Sequence, residues 1–193
     1  PKKLNVPGEK ELIGRGVSYC ATCDGWFFKN KKVAVVGGGD SALEEGIFLT
    51  RFASSVTIIH RRSELRAGAL LQKRARENPK ISFLWDSVVE AVEGKEAVKS
   101  LTVKNVKTGA PSQLNIDGLF IFIGHTPNSE MFRGFVELDE DGYIRINERM
   151  ETNIPGIYAA GEAADARYRQ VVTSAGMGAV AAMEAIHFLD AEE

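Results

Sequence analysis

Apolar residues fall into short continuous runs separated by charged or glycine-rich turns. Residues 33–36 form an unbroken apolar run, the pattern of a strand buried on both faces of a parallel sheet. Over 40–52, Ala42, Leu43, Ile47 and Leu49 supply an apolar face, and Glu44 and Glu45 sit in the first turns. That pattern predicts a helix. A second strand is expected over 55–59, ending in His60-Arg61-Arg62, and a second helix over roughly 68–77, stopped by Asn78-Pro79. Strand-like runs follow at 81–84, 88–92, 97–106 and 113–116. Lys107-Thr108-Gly109 between the last two predicts a hairpin. One more buried strand, 119–123, closes on Gly124-His125-Thr126-Pro127-Asn128. This alternation predicts an α/β fold: a Rossmann-like domain with a parallel sheet and a β-hairpin or meander on one side.

Beyond that point the pattern changes. Residues 128–156 are loop-rich, with one alternating strand expected over 143–146 and an apolar strand over 157–160. A helix rich in alanine and glycine is expected over 174–189. A boundary near Pro127 therefore divides the chain into 1–127 and 128–193. The first 19 residues read as an extended lead-in, with a turn at Pro7-Gly8 and with Gly14 and Gly16 set against helix.

Composition narrows the class. The 193 residues are 44% hydrophobic and 26% charged, with a formal net charge of −2. These values fit a globular chain and exclude a disordered or fibrous one. The near-neutral balance argues against a nucleic-acid partner. No uninterrupted apolar run of about 18 residues occurs, so no membrane span is expected. The polar start, PKKLNVPGEKE, has no apolar signal core, and a cytoplasmic location is the expectation.

Two chemistries lie side by side near the start. Cys20 and Cys23 are the only cysteines, and Asp24 follows directly. A bridge between them closes too short a loop to staple a fold, which leaves redox or metal chemistry. Zinc wants four ligands, and the three histidines (His60, His125, His187) show no ligand spacing. A redox pair is therefore favoured over half a zinc site. Asp24 reads either as the acid that protonates a leaving thiolate or as a turn residue before Gly25. Trp26-Phe27-Phe28 cannot all point inward from one element, so an exposed aromatic surface is expected.

The second chemistry is Gly37-Gly38-Gly39-Asp40-Ser41-Ala42, a G-x-G-x-x-A turn between a strand and a helix. A second strand ends about 20 residues on, which is the context of a dinucleotide fingerprint. Its glycines permit the tight turn and close approach of a pyrophosphate, and the helix start binds phosphate. An acid at the end of the second strand would select NAD. Here His60-Arg61-Arg62, with Arg66 behind, suits a 2′-phosphate, so NADPH is expected. A solvated charge cluster is the plainer alternative.

Six segments in order, CATCDG, GGGDSA, HRRSELRA, IGHTPN, IPGIYAAGE and RQVVTSAGMGAVAA, resemble the low-molecular-weight, bacterial-type thioredoxin reductases over essentially the whole chain. The resemblance implies an NADPH-binding domain over 1–127 that carries the redox pair. Residues 128–193 would be the C-terminal part of a split FAD-binding domain. It implies that Cys20 and Cys23 take electrons from NADPH through FAD and reduce thioredoxin, with Asp24 as acid. NADPH contacts are implied for the Gly37 loop, for His60, Arg61, Arg62 and Arg66, and for Gly124 and His125. FAD contacts are implied for residues 161–171, among them Gly161, Glu162, Ala163, Arg169, Gln170 and Val171. Thioredoxin would dock near Trp26 and Phe27, and the whole protein would be a homodimer. Glu162 stands where the family has an aspartate. The family's N-terminal FAD fingerprint lies outside this chain, so the chain alone is expected to be colourless and inactive. The flavoprotein of alkyl hydroperoxide reductase, and a nucleotide-binding module without turnover, are the alternatives.

Overall fold

The structure, a computed structural model, describes residues 1–191 and divides into two compact units, Pro1–Gly124 and a second from His125 onward. The sequence placed this boundary near Pro127.

The first unit is built on a five-stranded parallel sheet: β1 (Val17–Ser18), β2 (Lys32–Val36), β3 (Ser55–Ile59), β4 (Ile81–Leu84) and β8 (Gly118–Ile121). The strand order is β1-β8-β2-β3-β4, with every neighbouring pair parallel. Helices α2 (Asp40–Leu49) and α3 (Ala69–Glu77) cover one face. A three-stranded antiparallel sheet, β5 (Ser87–Glu93), β6 (Ser100–Asn105) and β7 (Pro111–Asn115), covers the other. Strand periodicity sorts the core between the two faces. In β2, Val33 and Val35 join Leu43, Leu49 and Ile58 on the helix side, while Ala34 and Val36 join Ile59, Val89, Leu101 and Val103 on the sheet side. Each fully buried valine or leucine contributes about 1.5–3 kcal/mol, so β2 has no face on which a polar residue would be cheap.

Ahead of β2 the chain makes two short turns the sequence did not announce, α1 (Ala21–Asp24) and a 3₁₀ turn over Gly25–Phe28. Of the three aromatics, Phe28 is buried against Phe120, and Trp26 and Phe27 are exposed. The lead-in is not extended, because Glu9, 2% exposed, gathers it. Its carboxylate accepts hydrogen bonds from the amides of Leu4 (3.0 Å) and Asn5 (2.6 Å) and from the Tyr19 hydroxyl (2.8 Å). Burial, and then the Glu9 carboxylate, push the Tyr19 pKa above its ordinary value.

The second unit has little regular structure before α4 (Val171–Asp190). The strands expected over 143–146 and 157–160 make only single bridges, Leu138 with Ile144 and Glu151 with Tyr158. A strand persists where a neighbour satisfies its backbone along its length, and these segments meet such a neighbour at one residue each. No residue of α4 is buried, and Val171, Val172, Met183 and Leu189 are exposed. By length and composition alone α4 qualifies to cross a membrane, with a mean hydropathy of 1.3, because its alanines and glycines bridge the interrupted apolar residues.

Candidate nucleotide and dithiol site

The glycine turn is fixed by what surrounds it. At Gly37 a Cβ would meet the Phe122 carbonyl oxygen and the Ala42 Cβ, each at 2.5 Å. At Gly38 it would strike the His60 ring at 2.3 Å, whereas Gly39 has nothing within 4 Å. The first two glycines are thus required by packing, and the third presents bare backbone to open space. The Gly38 carbonyl accepts from the amides of Arg66 (2.7 Å) and Ala67 (3.2 Å), and the Asp40 carboxylate accepts from the Gly68 amide (2.7 Å). The turn is thereby tied to the loop carrying the arginines. No side chain caps the start of α2, so its first-turn amides suit an anion.

A cavity of about 430 Å³ opens beside this turn, lined by Gly37, Gly38, His60 and four cations: Lys2, Lys3, Arg61 and Arg66. Arg62 is exposed and is not among the lining residues, and its carbonyl accepts from the Asp86 amide at 3.3 Å. His60 sits deeper than the arginines. It is 4% exposed, its ring lies on Gly38, and its Nε2–H donates to the Glu64 carbonyl at 3.0 Å. Burial lowers its pKa, and the positive charge of Arg66, Arg62 and Arg61 acts in the same direction. A neutral His60 therefore shapes the floor, and the charge comes from the rim. Gly124, at φ +108°, accepts from the Lys2 amide at 2.9 Å, which holds the lysine-bearing lead-in at the cavity.

On the same unit Cys20 and Cys23 are joined as a disulfide, with a Cα–Cα distance of 5.3 Å. No group of three or more metal-ligating residues occurs among the described residues. Cys23 is exposed and Cys20 half-buried. The Cys23 amide donates to Cys20 Sγ at 3.2 Å, and Thr22 Oγ1 lies 3.3 Å from the same sulfur. Asp24 is half-buried, and Ser18, buried on β1, donates to its Oδ2 at 2.6 Å.

In the second unit the 161–171 segment is organised by Asp165, which the sequence reading missed. Its buried carboxylate accepts from the amides of Arg167 (2.9 Å), Tyr168 (2.8 Å) and Arg169 (2.8 Å) and from the Thr173 hydroxyl (3.2 Å). Burial alone would raise its pKa, but these donors outweigh it and leave the pKa below the ordinary value. They also hold Arg169 at φ +52°. Gln170 and Thr173 form a reciprocal cap at the start of α4. Gly161, Glu162 and Ala163 make a single 3₁₀ turn in which Glu162 is exposed. The His125 pKa is pushed down to about 4, chiefly by burial and then by the Arg169 guanidinium.

The sequence profile of the pyridine nucleotide-disulphide oxidoreductases matches residues 1–178. The chain belongs to that family. Among its curated relatives, the thioredoxin reductase of Streptomyces coelicolor is 52% identical over 191 residues, and that of Bacillus subtilis 52% over 190. Each match takes in 98% of this chain but only 59% and 60% of the relative, so the chain spans about three fifths of their length. Among solved structures, thioredoxin reductase from Streptococcus pyogenes matches 98% of this chain and 62% of its own, with a TM-score of 0.94 at 45% identity. The enzyme from Giardia duodenalis matches with a TM-score of 0.89 at 38% identity. A family defined by a pyridine nucleotide and a disulfide accords with a first unit that holds both a cationic glycine-turn cavity and Cys20–Cys23.

Proposed function

We propose that this chain is the nicotinamide-binding, dithiol-bearing part of a thioredoxin reductase. The observation that carries the reading is the co-location, in one compact unit, of a cationic cavity at a glycine turn and a solvent-reaching disulfide followed by Asp24, whose carboxylate is held by Ser18. The first unit is read as the NADPH domain and the second as part of an FAD domain.

The cradle fits the nucleotide. A Cβ at Gly37 or Gly38 is excluded by its neighbours, and Gly39 leaves room for a pyrophosphate against the uncapped start of α2. Arg61 and Arg66 on the rim suit a 2′-phosphate, and Lys2 and Lys3 add positive charge. The fit to flavin is more limited. The 161–171 loop, held by Asp165 and followed by α4, is the part of this chain that would contact it, and Glu162 faces solvent. When bound, flavin supplies the conversion of a hydride into an electron pair that a disulfide can accept.

The protein's own groups then act at sulfur. In the reduced pair, one thiol loses its proton to Asp24 and attacks the partner disulfide as thiolate. A mixed disulfide forms, and the partner's other sulfur leaves and takes that proton. The second cysteine thiol then displaces the partner and closes Cys20–Cys23. Two electrons and two protons pass to thioredoxin. Trp26 and Phe27, exposed next to the pair, are the surface on which it would dock.

Calorimetric titration of the chain with NADPH and with NADH tests the nucleotide half. NADPH is expected to bind at one equivalent and at least ~10-fold more tightly, since one lost charge-assisted contact costs ~1.5–3 kcal/mol. Equal affinity for the two nucleotides would overturn the assignment of Arg61 and Arg66.

A further inference from the structure

The hydroxyl of Ser18 links the parallel sheet to the dithiol turn by hydrogen bonds. Ser18 is the last residue of β1 and pairs in register with Phe120 on β8, so its backbone is fixed by the sheet. It is 5% exposed. Its Oγ accepts from the Cys20 amide at 3.1 Å, lies 3.2 Å from the Cys20 carbonyl oxygen, and lies 2.6 Å from Asp24 Oδ2. A serine hydroxyl has one proton to give. The shorter distance and the charged acceptor assign that proton to Asp24. The Cys20 carbonyl is already engaged, since it accepts from the Asp24 amide at 3.2 Å.

From this geometry we infer that Ser18 is the positioning residue of the disulfide-exchange step: its hydroxyl anchors Asp24 Oδ2, which orients the other carboxylate oxygen toward the sulfurs. The inference rests on the reading of Asp24 as the acid. Asp24 stands at the end of the four-residue turn α1, and a one-turn element alone confers little rigidity on a carboxylate. Ser18 supplies the rigidity from the sheet. Without its hydroxyl the carboxylate can rotate about both side-chain torsions, and proton transfer, which requires hydrogen-bond reach, proceeds from a fraction of the orientations.

Thiol–disulfide exchange of the reduced 193-residue chain with a small neutral disulfide, hydroxyethyl disulfide, tests this without any cofactor. Ser18→Ala should slow exchange on the order of tenfold, the scale of one hydrogen bond to a charged group. Ser18→Thr, which keeps the hydroxyl, should restore most of the rate. In an Asp24→Asn background, Ser18→Ala should change the rate by less than about twofold, because the group it positions is gone. NADPH affinity serves as the folding control and should match the parent in each variant. Equal slowing by Ser18→Ala in both backgrounds would overturn the inference, showing that the effect runs through the Cys20 amide instead. Slowing by Asp24→Asn without slowing by Ser18→Ala would also overturn it while leaving the acid role standing. An Asp24→Asn chain that exchanges at the parent rate would remove the acid reading, and Ser18's role with it.

Discussion

Gly38→Ala tests whether the nucleotide turn and His60 are packed as one object. The added Cβ would lie 2.3 Å from His60 Cε1 and Nδ1 and 2.7 Å from Nε2, more than ~1 Å inside ordinary contact. The ring cannot simply retreat. It is 4% exposed and is held by the hydrogen bond from Nε2 to the Glu64 carbonyl. Moving it would lose that bond, worth about 0.5–1.5 kcal/mol, on top of an overpacking cost of about 1–3 kcal/mol. If the turn moves instead, the Gly38 carbonyl leaves the amides of Arg66 and Ala67, and the arginine rim shifts with it. Either route displaces the phosphate cradle. NADPH affinity should fall roughly 10- to 100-fold by calorimetry, corresponding to ~1.4–2.8 kcal/mol. His60→Ala in the same chain removes the obstructing ring, so the double variant should bind better than Gly38→Ala alone. A coupling energy of at least ~1 kcal/mol between the two sites is expected. A Gly38→Ala chain with parental affinity, or a double variant in which the two losses simply add, would refute the packing argument.

Other predictions follow from single interactions. Arg66→Ala should weaken NADPH by roughly tenfold and NADH hardly at all, measured by paired titrations. Glu9→Gln keeps the volume but loses charge-assisted bonds to the lead-in amides and Tyr19, and should lower unfolding free energy in urea by ~1.5–3 kcal/mol. His60 has a folded pKa below its ordinary 6.5, so between those values the unfolded chain binds a proton that the folded chain refuses. Its contribution to stability is therefore present above pH 6.5 and is lost as pH falls toward the folded pKa, by at most ~1.4 kcal/mol per pH unit. His60→Gln should flatten that part of the urea-stability profile, and an unchanged slope would contradict it. Asp165→Ala should abolish hydrogen-exchange protection at the amides of Arg167, Tyr168 and Arg169, since the carboxylate is their acceptor.

The parallel sheet was legible because burial on both faces leaves continuous apolar runs, as at 33–36 and 55–59, with glycine and charge marking the ends. The hairpin of β6 and β7 was legible from Lys107-Thr108-Gly109 between two strand-like runs. Local pattern failed where partners are distant or polar. Nothing near Glu9 announces that its carboxylate will gather Leu4, Asn5 and Tyr19, because that arrangement depends on chain reversal rather than periodicity. Ser18 reads as part of the lead-in until β1 is seen to deliver it to Asp24. His60 looks in sequence like one of three consecutive cations, but just beyond β3 its ring lies buried on Gly38, where burial lowers its pKa, while Arg61 is exposed and lines the cavity. Lys2 and Lys3 gave no motif, and only their return to Gly124 places them at the cavity. The strands expected over 143–146 and 157–160 were inferred from alternation alone, which cannot report whether a neighbouring strand is present.

The claim that this dithiol serves thioredoxin is tested most directly by mixing the pre-reduced chain, freed of reductant, with oxidised thioredoxin in a stopped-flow instrument. The predicted result is transfer of two electrons per chain, with one thioredoxin dithiol formed for each Cys20–Cys23 disulfide closed, and a trapped mixed disulfide when one of the two cysteines is replaced by serine. A reduced chain that exchanges freely with small disulfides but leaves thioredoxin oxidised would contradict the assignment.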